Sequence, residues 1–245
     1  MQRRFAQVDV FSEQRLLGNA LAVVVDCHDL DTVEMQRFAN WTNLSETTFL
    51  LPPSDPAADY RVRIFTPAAE LPFAGHPTLG SAHTWLAFGG TPRHPDRIVQ
   101  ECGVGLVTVR RDGDALTFAA PPLLRGGPAD DATLQEAADS LGIDRAAIID
   151  AQWADNGPGW LAVLLASADE VLALQPRTMR LSIGVAGLYP PGSPFACEVR
   201  VFFSENGNTL EDPVTGSLNA SMAQWLISSG RLAAPYTVSQ GTAIG

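Results

Sequence analysis

The chain has 245 residues, 46% of them hydrophobic, and a formal charge of −11 from 16 Lys and Arg against 27 Asp and Glu. This length suffices for one large domain or two small ones, while the acidic balance and the absence of a Lys/Arg run argue against nucleic acid and anionic membranes as partners. No apolar run resembles a secretory signal or approaches the roughly 20 residues of a membrane span, so we expect a cytoplasmic protein without a membrane partner.

The first half of the chain predicts short strands alternating with helices. A strand is predicted over residues 5–11 and an apolar strand over 21–25. Asp31 and Glu34 form a capping-box pattern for a helix that ends near residue 40. Further strands are predicted in TTFLLP (47–52), in the alternating YRVRIF (60–65), and on both sides of a hairpin turn at Asp112-Gly113.

The composition changes after this first half. The segment PPLLRGGPADDA, residues 121–132, is rich in Pro, Gly and Asp and predicts a linker. We therefore expect two domains, residues 1–122 and 123–245. A helix is predicted in ATLQEAADSLGI, and the second half then repeats the plan of the first.

An internal repeat supports two related domains. Three pairs of segments recur in the same order, at offsets of 140, 137 and 140 residues: Leu21–Val25 with Leu161–Leu165, Val62–Phe65 with Val199–Phe202, and Trp85-Leu86 with Trp225-Leu226. Each match alone is weak. Three matches at nearly one spacing indicate a duplicated domain of ordinary size.

Each half contains a helix that starts at a Gly-bearing turn. In FAGHPTLG, residues 73–80, Pro77 is predicted to be the first helical residue, which places His76 beside backbone N–H groups that lack partners. In EDPVTGSLNAS, Gly216 and Ser217 open the second helix. If the two helix starts face each other, they can hold one small carboxylate. The alternative is two ordinary helix starts.

Three acidic residues lie close to these turns or to strand ends. Glu46 comes just before an apolar strand, where desolvation would raise its pKa and suit a proton shuttle. Glu70 precedes the Gly-His-Pro turn. Asp212 precedes Pro213 and is suited to bind a substrate ammonium or hydroxyl, or to position His76. On these residues alone, a surface glutamate and a turn-forming aspartate remain open interpretations.

Cysteine and histidine spacing does not indicate a metal site. Cys27, Cys102 and Cys197 are isolated in sequence, and an odd count without a C-x-x-C pair argues against both disulfides and zinc. Buried, unreactive thiols are expected instead. His76 and His83 lie seven residues apart without a third ligand nearby, so we predict no metal site.

Four segments together resemble the PhzF family of phenazine-biosynthesis-like isomerases: DVFSEQRLLGNALAVVVD, LSETTFLLP, RIFTPAAELPFAGHPTLGSA and EDPVTGSLNA. They cover both halves in the family's order. The resemblance implies the diaminopimelate epimerase-like α/β (α+β) fold. In it, two pseudo-symmetric domains each wrap a curved, mainly antiparallel sheet around a central helix, with the active site between them. It also implies a homodimer, no cofactor and a small carboxylate-bearing substrate.

The resemblance further implies roles for individual residues. The family's proton-shuttling glutamate falls on Glu46, the histidine of its GHP motif on His76, and the aspartate of its DP motif on Asp212. The implied reaction is a 1,3-shift of a proton on a carboxylate such as a dihydro-hydroxyanthranilate, with Glu46 as acid and base. The implied catalytic residues are Glu46, His76 and Asp212, and the implied substrate-binding residues are Gly75, His76, Gly216 and Ser217.

Other functions and one structural departure stay open at this point. The chain could instead be a non-catalytic ligand- or protein-binding member of the fold, or, less favoured, an amino-acid racemase or epimerase. Related racemases place a cysteine at both helix starts, where this chain reads Gly75-His76-Pro77 and Thr215-Gly216-Ser217. Family members usually continue past the Gln240-Gly241 pair, so we expect the carboxyl-terminal domain to lack its last strands.

Overall fold

The computed structural model describes residues 2–12, 14–205 and 207–244, and the chain divides into two compact units, Met1–Ala119 and Ala120–Gly245. Each unit contains one mixed sheet and a helix of 13 residues that packs on it. None of the helices in the described ranges is long and apolar enough to cross a membrane.

The amino-terminal unit is built around a single eight-stranded sheet. The strands follow the order β1-β2-β3-β4-β6-β7-β8, with β5 paired to β4. The β2–β3 and β4–β6 pairs are parallel, and the other pairs are antiparallel. The elements are β1 (Phe5–Val10), β2 (Asn19–Val24), α1 (Thr32–Thr42), β3 (Glu46–Leu51), β4 (Tyr60–Phe65), β5 (Glu70–Leu71), α2 (Gly75–Ala87), β6 (Arg97–Cys102), β7 (Gly105–Asp112) and β8 (Ala115–Phe118).

The carboxyl-terminal unit contains a seven-stranded sheet in the order β14-β13-β12-β11-β10-β9, with β15 paired in parallel to β13. The β11–β12 pair is also parallel. The elements are β9 (Arg125–Pro128), α3 (Asp131–Leu141), a short 3₁₀ turn (Arg145–Ala147), β10 (Asp150–Asp155), β11 (Trp160–Leu165), α4 (Ala168–Leu172), β12 (Ser182–Leu188), β13 (Cys197–Glu205), β14 (Asn208–Glu211), α5 (Gly216–Ser228) and β15 (Val238–Gln240).

The repeated segments of the sequence fall on equivalent elements of the two units. They lie on β2 and β11, on β4 and β13, and on α2 and α5. In the first unit β2 pairs in parallel with β3, and β3 pairs antiparallel with β4. In the second unit β11, β12 and β13 pair in the same way. The predicted fold class, mainly antiparallel sheets each with a central helix, is confirmed.

The central helix of the first unit is buried on several sides because the sheet curls about it. Strands from both ends of the first sheet, β1 and β8, contact α2. Ala82 is fully buried in this core, with Leu79, Trp85 and Leu86 partly buried against it. In the second unit, Leu218, Met222, Trp225 and Leu226 of α5 pack on strands β11 to β13. Helix α1 covers the other face of the first sheet, and α3 and α4 cover that of the second.

Three sequence-based expectations are wrong in detail. The predicted linker at 121–132 is interrupted by β9, whose residues pair with β10 and so belong to the second sheet. Helix α2 begins at Gly75 rather than Pro77, and Pro77 is tolerated because it still lies in the first turn, where no intrahelical N–H bond is required. Cys102 is half-buried, unlike Cys27 and Cys197, which are fully buried.

Candidate active site

Glu46 occupies the first position of β3. This strand runs parallel to β2, with Glu46 in register with Leu21. Because alternate residues of a strand face the same side, Glu46 and Thr48 share a face. The Ser81 hydroxyl of α2 donates a hydrogen bond of 2.9 Å to Thr48 Oγ1, so that face is the one on which α2 lies.

His76 is the second residue of α2, and its side chain is 8% exposed. Burial lowers its pKa from 6.5 to about 4, because the imidazolium form loses its hydration. The imidazole is therefore neutral near pH 7. The start of the helix is fixed by Thr78, whose hydroxyl donates to the carbonyl of Ala74 at 2.9 Å.

These two elements bring Glu46 and His76 into contact. His76 Nε2 lies 3.2 Å from Glu46 Oε2, and the glutamate side chain is 16% exposed. Because the imidazole is neutral, it does not hold the glutamate permanently as the anion of an ion pair. A largely shielded carboxyl group beside a neutral imidazole is a suitable acid and base pair.

Asp212 lies in the carboxyl-terminal unit, directly after β14. Its backbone N–H donates to Val201 O at 3.1 Å, and its Oδ2 accepts a hydrogen bond of 2.5 Å from Thr215 Oγ1. Burial raises the pKa of Asp212, and the hydrogen bonds from Thr215 and from the Val214 backbone oppose that rise. Asp212 therefore retains a proton to higher pH than an ordinary aspartate does.

Gly216 and Ser217 form the first turn of α5 in the same unit. Ser217 Oγ accepts a hydrogen bond of 2.9 Å from the indole Nε1 of Trp160, which leaves the hydroxyl proton of Ser217 able to donate elsewhere. The Ser217 carbonyl accepts from Asn156 Nδ2 at 2.8 Å. The serine is thus held in place from two sides.

The central helices α2 and α5 differ from the other helices at their amino-terminal ends. In neither helix does a side chain cap the first turn. Helix α2 begins with Gly75 and His76, and α5 begins with Gly216 and Ser217. Uncapped N–H groups at a helix start attract anions. The remaining helices and the 3₁₀ turn of the described chain are all capped by a side chain, respectively Asp31, Asp130, Ser167 and Asp144.

The structure separates the remaining candidates from these residues. Both carboxylate oxygens of Glu70 accept hydrogen bonds of 2.7 Å from the Arg63 guanidinium, so Glu70 is paired with a residue of the neighbouring strand β4. His83 is exposed whereas His76 is buried. Sequence reasoning missed Thr215 and Gln240, which contact Asp212 directly. The only signal for Gln240 is that a second glutamine, Gln100, precedes it by the repeat offset of 140.

The chain is similar to known proteins in both sequence and fold. The family model for phenazine biosynthesis-like proteins, PhzC-PhzF, matches residues 8–245. Antisense-enhancing sequence 1 of Schizosaccharomyces pombe is 36% identical over 261 residues, covering 98% of this chain and 86% of that protein. The trans-2,3-dihydro-3-hydroxyanthranilate isomerase of Pseudomonas fluorescens is 34% identical over 250 residues, covering 97% and 85%. A crystal structure of a PhzF-family protein from Bacillus anthracis has a TM-score of 0.83 at 22% identity, covering 100% and 88%, which supports the fold alone.

Proposed function

The chain belongs to the phenazine biosynthesis-like PhzC-PhzF family and is an isomerase, and we propose that it moves a proton between two carbons of a small carboxylate-bearing substrate without a cofactor. The observation that carries this proposal is the 3.2 Å approach of Glu46 Oε2 to His76 Nε2 in a shielded position. Such a pair can accept a proton from the substrate on the glutamate and return it, which restores the charge of the protein at the end of each turnover.

The proposed reaction proceeds through Glu46. As a substrate C–H bond breaks, Glu46 takes the proton, and the electron pair of that bond moves into the adjacent conjugated system. The protonated Glu46 then returns the proton to a carbon two positions away, where a new C–H bond forms. Atoms and electrons balance within the substrate, so no oxidant or reductant is consumed. The neutral His76 orients the Glu46 carboxyl group and binds a polar group of the substrate.

Substrate binding is assigned to the uncapped helix starts. The N–H groups at Gly75 and His76, and those at Gly216 and Ser217, are suited to a carboxylate, with the Ser217 hydroxyl as a further donor. Asp212, whose pKa is raised by burial, is suited to bind an amino or hydroxyl group. Trans-2,3-dihydro-3-hydroxyanthranilate, the substrate in the name of the Pseudomonas fluorescens relative, has this combination of groups and is the first candidate.

Proton NMR in deuterium oxide tests this function. The protein is incubated with trans-2,3-dihydro-3-hydroxyanthranilate and, separately, with a panel of amino-acid carboxylates. We expect deuterium at one substrate carbon, and we expect Glu46→Gln to slow its entry by about 100-fold or more, the usual contribution of a general acid or base. Calorimetric titration should show that the same variant still binds the substrate.

Glu70→Gln is the matched control because Glu70 also begins a strand but is paired with Arg63. It should leave the rate of deuterium entry unchanged. Full exchange in Glu46→Gln would overturn the assignment of the proton shuttle. A folded wild-type protein that exchanges no proton of any tested carboxylate would overturn the proposed substrate class.

We also retain a homodimer and a cytoplasmic location as proposals, supported by the family resemblance. Sedimentation equilibrium at several protein concentrations tests the first, and fractionation of the native host tests the second. A mass equal to that of a single 26.1 kDa chain at every concentration would contradict the dimer.

A further inference from the structure

One amide side chain, that of Gln240, joins the loop that carries Asp212 to the start of α5. Its Nε2 donates to Asp212 O and to Thr215 Oγ1, both at 3.0 Å. Its Oε1 accepts from the Thr215 backbone N–H at 3.1 Å and from Asn219 Nδ2 at 2.7 Å. Both donors and both acceptor positions of the amide are used, which fixes its orientation.

These bonds also fix the direction of the Thr215 hydroxyl. A hydroxyl group has one proton, and Thr215 Oγ1 already accepts a hydrogen bond from Gln240. Its proton is therefore directed at Asp212 Oδ2, 2.5 Å away. Successive hydrogen bonds of this kind polarise one another, so the Gln240 amide strengthens the bond that Thr215 donates to the Asp212 carboxyl.

The amino-terminal unit contains a related glutamine contact. Gln100 lies on β6, which is parallel to β4 as β15 is parallel to β13, and it precedes Gln240 by the repeat offset of 140 residues. Its Nε2 donates to Thr78 Oγ1 at 3.0 Å. Thr78 and Asn219 are each the fourth residue of the central helix, and each bonds the carbonyl of its N-cap residue. In both units a glutamine therefore contacts the fourth residue of the central helix, but only in the second unit does it also bond a hydroxyl at the N-cap residue, Thr215.

We propose that Gln240 is a positioning residue for the isomerase: through Thr215, it sets the orientation and protonation of Asp212 and the position of the first turn of α5. The proposal rests on the proposed function for its effect on turnover, but its effect on Asp212 can be measured without substrate. Gln240 touches neither substrate nor reacting atoms in this proposal and acts only through its neighbours.

The test replaces Gln240 with methionine, which has a similar length and no hydrogen-bonding amide. Carbon-13 NMR of labelled aspartate follows the titration of the Asp212 carboxyl, assigned with Asp212→Asn. We expect the pKa of Asp212 to rise further in Gln240→Met, because the hydrogen bond that opposes the effect of burial is weakened. Turnover by kcat/KM should fall about tenfold, the effect of losing one strong hydrogen bond.

Gln224→Met is the matched control because Gln224 lies on α5 and its amide bonds the Pro121 carbonyl at 3.3 Å, rather than Asp212 or Thr215. It should alter neither the titration of Asp212 nor the turnover. Thr215→Val removes only the hydroxyl and tests the same chain of bonds if Gln240→Met does not fold. In the Thr215→Val background, adding Gln240→Met should leave the Asp212 titration unchanged.

An unchanged pKa of Asp212 in folded Gln240→Met, or in Thr215→Val, would overturn the positioning role. A raised pKa with full turnover would overturn its link to the reaction. If the wild-type protein exchanges no substrate proton, the proposed function fails, and the titration still decides whether Gln240 sets the state of Asp212.

Discussion

At the scale of single residues, the chemistry of His76 is set by its position rather than by its type. The imidazole is buried at the positive end of α2, and both conditions disfavour the imidazolium. Burial alone lowers its pKa to about 4. A group that is neutral in the fold and charged in the unfolded chain below pH 6.5 makes stability depend on pH.

The free energy of unfolding should therefore contain a term from His76 that depends on pH. Between the unfolded pKa of 6.5 and the folded pKa of about 4, the unfolded chain binds more protons than the native one. Stability from this residue is fully present above pH 6.5 and is lost as the pH falls towards 4, by about 3 kcal/mol in total. His76→Gln should flatten this part of the profile, measured by urea unfolding at a series of pH values.

His83→Gln serves as the control, since His83 lies on the exposed part of the same helix. Carboxyl groups that do not contact His76 contribute equally to all three proteins and cancel in the comparison. A profile in His76→Gln that parallels the wild type between pH 6.5 and 4 would show that the buried imidazole is not the cause.

The sequence could nominate candidate site residues but could not predict their contacts. The motifs named Glu46, His76 and Asp212 because each lies beside a local turn or strand signal. The approach of Glu46 to His76 depends on the packing of β3 against α2 through the bond between Thr48 and Ser81, which no local pattern encodes. The contacts of Gln240 join residues 21 to 28 positions apart, so they were missed for the same reason.

At the scale of elements, long apolar strands and capped helices were predictable, and short strands were not. The capping box of Asp31 and Glu34 is present as predicted. Strand β9 consists of Arg125–Pro128, a composition typical of a loop, and is a strand only because it pairs with β10. There the guanidinium of Arg125 also stacks over the Trp153 ring at 3.5 Å. Tertiary pairing overrode local propensity at this position.

At the scale of elements, one buried ion pair joins β13 to β14 directly before Asp212. Arg200 of β13 binds Glu211 of β14 through two bonds of 2.8 and 2.7 Å, and its side chain is 7% exposed. Its Nη1 donates to the carbonyls of Val171, Leu172 and Leu174 at the end of α4. The guanidinium therefore connects two strands and a helix end.

Arg200→Met should lower the free energy of unfolding by about 3–5 kcal/mol, because it leaves Glu211 buried without its cation. Urea unfolding followed by tryptophan fluorescence measures this loss. Asp150→Asn is the matched control, since the Arg231–Asp150 pair is 29% and 39% exposed and should contribute less than about 1 kcal/mol. Similar losses in the two variants would contradict a special role for the buried pair.

At the scale of the whole molecule, a glycine in each unit allows the central helix to pack closely against its sheet. In the first unit the glycine is on the helix: a Cβ at Gly80 would lie 2.6 Å from Leu21 Cδ2. In the second it is on the sheet: a Cβ at Gly184 would lie 2.0 Å from Leu218 Cδ2. Leu21 and Leu218 are fully buried, so neither can move aside freely. Both units therefore have a close contact between helix and sheet, but the glycine lies on the helix in the first unit and on the sheet in the second.

This difference predicts unequal effects of alanine at the two glycines. Gly184→Ala should lower stability by about 1–3 kcal/mol, the usual cost of overpacking a core. Gly80→Ala meets a milder clash, and alanine in a helix interior favours folding by about 1 kcal/mol relative to glycine, so its net loss should be smaller. Urea unfolding followed by far-UV circular dichroism measures both. Gly126→Ala, whose nearest contact would be an ordinary 3.4 Å, is the control and should be nearly neutral. A larger loss at Gly80 than at Gly184 would mean that the contact of α2 with its sheet, rather than that of α5, is the less tolerant of the two.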